Sequence, residues 1–113
     1  MLPVEHRLRQ EKDIKTLLAK GKGVFDDVVG LKMRSNGGLP SRFAVVVGTK
    51  VSKRAVVRNL LRRRIRAVVE DHISEIPVGF DVIMLVRPLA LKLKPGELAA
   101  RTLAVLHRGR LLK

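Results

Sequence analysis

Cysteine is absent from this chain of 113 residues, which removes disulfide frameworks, thiol nucleophiles and cysteine-built zinc sites together. Tryptophan and tyrosine are absent as well, and Phe25, Phe43 and Phe80 are the only aromatics. Stacking on aromatic platforms can therefore supply only a small part of any nucleic-acid contact. Acidic residues are scarce, 10 against 24 Lys and Arg. Long apolar stretches are missing too: Ala44-Val45-Val46-Val47 and Val82-Ile83-Met84-Leu85-Val86 fall far short of the ~20 residues that a spanning helix needs, and read as buried strands. The opening Met1-Leu2-Pro3-Val4-Glu5-His6-Arg7 puts polar residues where a secretory signal needs an apolar core, so no export is expected and the chain is read as cytoplasmic.

What is present is charge on a foldable background. The net charge is +14, and 46% of residues are hydrophobic, too many for a disordered basic tail. The length suits one domain, residues 1–113, able to bury roughly two-thirds of its unfolded surface. A surface this positive repels itself unless a polyanion is near, so a polyanion is the expected partner.

Ile14, Leu17 and Leu18 stand at helical spacing, and Gly21 is a plausible stop, predicting a helix over 10–20. Val29, Leu31 and Met33 alternate with Gly30 and Lys32, the period of a strand over 28–34. Ser35-Asn36-Gly37-Gly38 is a strong turn signal and predicts an antiparallel hairpin into a strand over 42–48. Ser52 is the expected cap of a helix running to about Ile73, with Val57, Leu61, Ile65, Val68 and His72 on the packed side. Pro77 and Gly79 precede a near-continuous apolar run over 80–86 that ends at Arg87-Pro88 and reads as a central strand covered on both faces. A last helix is expected over 95–108, with Leu98, Leu103 and Leu106 inward. The order, α-β-β(-β)-α-β-α, predicts an α+β protein arranged as a two-layer α/β sandwich.

Arg54, Arg58, Arg62 and Arg66 recur every four residues, which spaces guanidinium groups about 6 Å apart along a helix, near the phosphate spacing of a nucleic-acid strand. Arginine suits that task because its planar fork can hold phosphate oxygens at two points. Asn59 and Arg63 join the row, which has no compensating acid within it and so repels itself at each i,i+4 step. A merely solvated face would mix in acids.

The segment Val51-Ser52-Lys53-Arg54-Ala55-Val56-Val57-Arg58-Asn59-Leu60-Leu61-Arg62-Arg63-Arg64-Ile65-Arg66 resembles the signature helix of the bacterial ribonuclease P protein component. His6-Arg7-Leu8-Arg9, Asp13-Ile14 and Gly21 are similar to that family's N-terminal region, and Gly79-Phe80-Asp81-Val82-Ile83 with Arg87-Pro88 to its late strand. The resemblance implies a left-handed βαβ crossover, an exception to the usual hand. It implies an accessory subunit of an endoribonuclease whose large RNA carries the catalysis, with Mg2+ serving the RNA-catalysed removal of the 5′ leader from precursor tRNA. Carried over, it makes Lys53, Arg54, Arg58, Asn59, Arg62, Arg63 and Arg66 RNA-binding residues. It places Ile14, Leu18 and Lys32 in the leader cleft. The implied partners are the catalytic RNA and precursor tRNA. Leu60 stands where the family motif has Arg, and Ile14, Leu18 and Lys32 stand where aromatics are usual, giving an aliphatic cleft with one added cation.

Elsewhere the residues read blandly. His6, His72 and His107 share no ligand spacing, His72 is expected to pack or cap, and Asp26-Asp27 reads as a solvated loop pair. No Ser-His-Asp order, phosphate loop or paired-carboxylate constellation stands out, so neither a protein-bound cofactor or metal nor catalysis by the protein alone is expected. The alternative from another class is a structural or ribosomal RNA-binding protein without a processing role. DNA binding is disfavoured because no short partner helix precedes the arginine helix, and membrane binding because its apolar side is needed for the core.

Overall fold

The computed structural model describes residues 3–112; Met1, Leu2 and Lys113, the ends of the expected 1–113 domain and part of the opening stretch read for export, lie outside it. Among the described residues three α-helices and four strands follow in the order α1 (Glu11–Lys20), β1 (Lys22–Phe25), β2 (Val29–Ser35), β3 (Arg42–Val46), α2 (Ala55–Asp71), β4 (Phe80–Val86) and α3 (Pro95–Arg108). The α+β class and the predicted succession of elements hold, with β1 as the optional extra strand.

The sheet order is β1-β2-β4-β3. The hairpin predicted between β2 and β3 does not form. β4 inserts between them, antiparallel to β2 and parallel to β3. The loop signal at residues 36–38 is real, with Gly37 and Gly38 at φ 81° and 90°, but it starts a longer connection. That connection is tied down by β4's approach, where the Asn36 N–H donates to the Gly79 carbonyl at 2.8 Å and the Gly79 N–H to that of Leu39 at 2.8 Å. Buried Ser41 fixes its exit, donating to the Pro77 carbonyl at 2.6 Å and accepting the Phe80 N–H at 3.1 Å. The hairpin that does form joins β1 to β2. Asp26 makes its turn, its Oδ1 accepting the N–H groups of Val28 at 2.6 Å and Val29 at 3.3 Å.

Period-2 alternation sorts the strands onto two faces. Val29, Leu31, Phe43, Val45, Val82, Met84 and Val86 form one core with α2 and α3, while Ile83 packs with Leu8 and Leu17 under α1 on the other face. β4 is thus covered on both faces and paired at both edges, as its apolar run predicts.

α2 contributes Leu61, Ile65 and Val69 to the core. Val69 takes the place predicted for Val68, which is only half-buried, as is Val57. The helix ends at Asp71, and His72 caps it with its Nδ1 3.0 Å from the Val68 carbonyl oxygen. Ser52 is not the N-cap: Arg54 is, and the Ser52 hydroxyl accepts the Arg54 N–H at 3.2 Å. α3 begins with Pro95 after Lys94, whose N–H donates to the Glu97 carboxylate at 3.0 Å. Leu98, Thr102, Val105 and Leu106 are its buried face, with Leu103 at the margin.

Candidate nucleic-acid interface

At about 100° per residue, each i+4 step along α2 rotates a side chain by about 40°, so the row of arginines winds across the helix surface. It begins beside the packing stripe. Arg58 is half-buried and turns its Nη1 back to the Ser52 carbonyl at 2.9 Å, so one end of its fork is engaged with the helix entrance. One turn on, Arg62 donates to the Asn59 side-chain oxygen, which orients both groups. Arg66, Asn59, Arg63, Arg54 and Lys53 are exposed, and Arg64 is half-buried. Leu60, where the resembling motif has Arg, is exposed among them.

The winding brings Arg62 and Arg66 to the rim of a groove of about 420 Å³ beside β3. Its floor is Phe43, Ala44, Val45 and Val46 of β3, with Leu8 and Ile14 at the side. Arg7 and Arg9 form the opposite rim. They are held there because the segment before α1 runs along the edge strand, where the Leu8 N–H donates to the Phe43 carbonyl at 2.9 Å and Arg7 pairs with Phe43 in parallel. Four guanidinium groups therefore flank an apolar trough, which suits a chain that alternates phosphates with flat, apolar-faced bases.

Of the three residues expected in the leader cleft, Ile14 lines this groove and Leu18 and Lys32 do not. Leu18 is exposed on α1 one turn further on, and Lys32 of β2 donates through its Nζ to the Leu18 carbonyl. These two form a polar clasp between α1 and the sheet, away from the groove. Arg7, Arg9 and the β3 floor escaped the sequence reading. Their signal was present in Arg7-Leu8-Arg9, where cations alternate about an apolar residue as along an edge strand.

Asp26 and Asp27 are not a solvated pair. Arg101 of α3 donates to Asp26 Oδ2 at 2.9 Å and to Asp27. Burial alone would raise the Asp26 pKa, but the Arg101 guanidinium and the Val28 and Val29 amides outweigh it and hold the carboxyl below its ordinary value. Among the described residues no group of three or more His, Asp or Glu could hold a metal ion, and no helix is long and apolar enough to cross a membrane.

A mixed four-stranded sheet, an arginine helix free of acids as far as Val69 and a cation-rimmed trough define a small basic protein of the polyanion-binding type. A family model described as Ribonuclease P matches residues 2–109. The ribonuclease P protein component of Picosynechococcus sp. is 36% identical over 86 residues, spanning 76% of this chain and 74% of the relative. That of Pseudanabaena sp. is 31% identical over 113 residues, spanning 99% and 97%. The ribonuclease P protein structure from Thermotoga maritima superposes with a TM-score of 0.81 at 28% identity, covering 90% of this chain and 96% of the other. The Staphylococcus aureus protein superposes with a TM-score of 0.89, covering 96% and 98%, and at 23% identity attests the shared fold. The chain belongs to the ribonuclease P protein family, in the role of the protein component, and the reading as a ribosomal or RNA-packing protein gives way.

Proposed function

We propose that this protein acts in the cytoplasm as the RNA-binding subunit of ribonuclease P, holding the 5′ leader of precursor tRNA in the groove beside β3 and the catalytic RNA along the outward face of α2. The observation that carries this reading is the placement of Arg7, Arg9, Arg62 and Arg66 around an apolar floor, with Asn59 and Arg63 exposed beside them on the same helix and Asn59 accepting from Arg62. One helix thus serves two RNA segments. Arg62 and Arg66 meet the phosphates of a single strand whose bases lie on Val45, Val46 and Ile14. Lys53, Arg54, Asn59 and Arg63 meet the larger RNA, with Arg58 steadying the helix entrance through Ser52. Hydrolysis belongs to the RNA subunit with its magnesium ions. The protein's part is electrostatic: it offsets repulsion between two polyanions and favours the docked substrate.

The test is cleavage of a precursor tRNA by ribonuclease P RNA as a function of magnesium concentration. Protein alone should bind but not cut. Added at low magnesium it should stimulate cleavage sharply, and high magnesium should partly replace it. Changing Arg58, Arg62 and Arg66 together to Ala should abolish stimulation while the protein stays folded, because truncation relieves their mutual repulsion. Stimulation by the triple variant equal to that of native protein overturns the reading.

A further inference from the structure

β1 and β3 are the two edge strands, so the far side of the sheet lies three strand spacings, about 14 Å, from the α2 groove. There the sheet outruns α3, which ends at Arg108, and leaves Val24, Met33 and Phe80 half-covered. They floor a second groove of about 550 Å³ whose charged lining is Lys22, Arg108 and Arg110, with no carboxylate among its lining residues.

Arg110 is held there at a conformational cost. Its φ is +61°, and it is the only non-glycine among the described residues in the left-handed region. The chain turns there to stop α3: the Arg110 N–H donates to the His107 carbonyl at 3.0 Å, and the Leu111 and Leu112 N–H groups to that of Leu106 at 3.0 and 3.3 Å, which carries both leucines into the core. The left-handed position of such a stop is where glycine is usual. Here Gly109 stands one residue before it, in ordinary helical geometry at φ −78°, and the strained position carries a cation. The negative end of the helix dipole accounts for His107 and Arg108 in the last turn, but it does not require a side chain at 110. Retained strain at an exposed charged residue points to a use for its side chain.

We infer that Lys22, Arg108 and Arg110 form a second RNA contact, on the opposite sheet edge from the α2 groove, that takes the sugar–phosphate backbone of a double-helical RNA segment. Three cations without an acid call for a polyanion. The floor is aliphatic apart from Phe80, which packs against the core, so it suits riboses of a paired backbone better than splayed bases. The protein would then meet RNA at both edges of its sheet, which goes beyond the groove and the outward face of α2 proposed above.

The experiment compares native protein with a Lys22→Gln, Arg110→Gly double variant, leaving Arg108 in place because its Nη1 also donates to the Phe25 carbonyl. The probes are a short blunt RNA duplex and a single-stranded RNA oligomer. The variant is expected to bind the duplex about tenfold more weakly near physiological salt, with a log–log salt slope shallower by about 2, and to bind the single strand within about twofold of native. It should also melt at a higher temperature, since glycine relieves the strain at position 110. Loss of binding together with gain of stability separates a contact residue from a structural one. Unchanged duplex affinity and slope overturn the inference, as does an equal loss on both probes, which would be a general charge effect, or a lowered melting temperature. The Arg58, Arg62 and Arg66 triple variant should show the opposite pattern, losing the single strand and keeping the duplex, so failure of the α2 reading is distinguishable from failure of this one.

Discussion

Arg42 of β3 grips Asp81 of β4 at two points, Nε to Oδ1 at 2.8 Å and Nη2 to Oδ2 at 2.7 Å, directly across the parallel strand pair. Asp81 also accepts the Asn36 side-chain amide at 3.1 Å, and Asp13 of α1 stands 3.7 Å from Arg42. One carboxylate thus fixes the edge strand, the connection that crosses β4 and, through Arg42, the helix over the sheet. The hydrogen bond to Asp81, set against the cost of burial, keeps the Arg42 pKa above its ordinary value.

Asp81→Ala is therefore expected to cost about 2 kcal/mol, less than a fully buried pair because both side chains keep some solvent, and to lower Tm by several degrees. Thermal unfolding followed by circular dichroism measures it. A loss below about 0.5 kcal/mol would place the pair among ordinary surface bridges.

The same residues show what sequence reasoning could and could not reach. Elements follow from local period and punctuation, and these were legible: the alternation of β2, the apolar run of β4, Pro95 opening α3. Strand order is not local. Ser35-Asn36-Gly37-Gly38 carries the same turn chemistry whether the next strand returns beside β2 or passes beyond a strand that the chain has yet to make, so nothing in residues 28–48 announces that β4 will fill the gap. The arginine row was legible because four-residue spacing is a helical property. The groove was not, because its other rim, Arg7 and Arg9, is set by a tertiary pairing with Phe43. Leu18 and Lys32 lie outside this groove for a reason equally hidden from the sequence: i,i+4 spacing puts Leu18 near Ile14 on α1, but only the helix's position over the sheet decides which of them meets it.

Asp26 should give the fold a pH dependence. Its folded pKa lies below the ordinary value of 3.8, so the stability it contributes is fully present above that value and is lost as pH falls through the lower, folded pKa. Asp26→Asn should destabilise the protein at neutral pH and flatten the loss of stability on acidification below about pH 4, within the range where unperturbed carboxylates titrate. Urea unfolding at a series of pH values reads both. Parallel pH curves for variant and native protein would show that other carboxylates carry the acid sensitivity.

Gly30 lies under an aromatic lid. A Cβ at this position would sit 2.4 Å from Phe25 Cδ1, and one at Gly23 would sit 2.3 Å from Phe25 Cε2, so the ring rests flat over two glycines on neighbouring strands. Gly30→Ala must displace that ring or the strand, and is expected to cost about 1–3 kcal/mol, as overpacking does. Adding Phe25→Ala should recover much of the loss. A double variant less stable than Gly30→Ala alone would mean that the glycine answers to the backbone and not to the ring.

Electrostatics should dominate affinity for single-stranded RNA, because the groove's floor holds only one aromatic, Phe43, which is itself buried. Four engaged cations on a single strand, Arg7, Arg9, Arg62 and Arg66, predict a log–log salt slope of about −2.8, at about −0.7 for each phosphate neutralised. Fluorescence anisotropy over a salt series measures it, and a slope flatter than about −1.5 would exclude a phosphate-binding row. Within that background the apolar floor can still be tuned. Ile14→Phe puts an aromatic face near Ala44 in the groove, and should strengthen leader binding by about fivefold, on the order of 1 kcal/mol of added stacking. Leu18→Phe lies outside the groove and should leave leader affinity within about twofold of native, the change expected when no base gains a stacking partner. The two single variants therefore divide the original expectation for α1. Equal gains from both would mean that the leader runs along the whole helix and not through the groove beside β3, and no gain from Ile14→Phe would place the leader elsewhere on the protein.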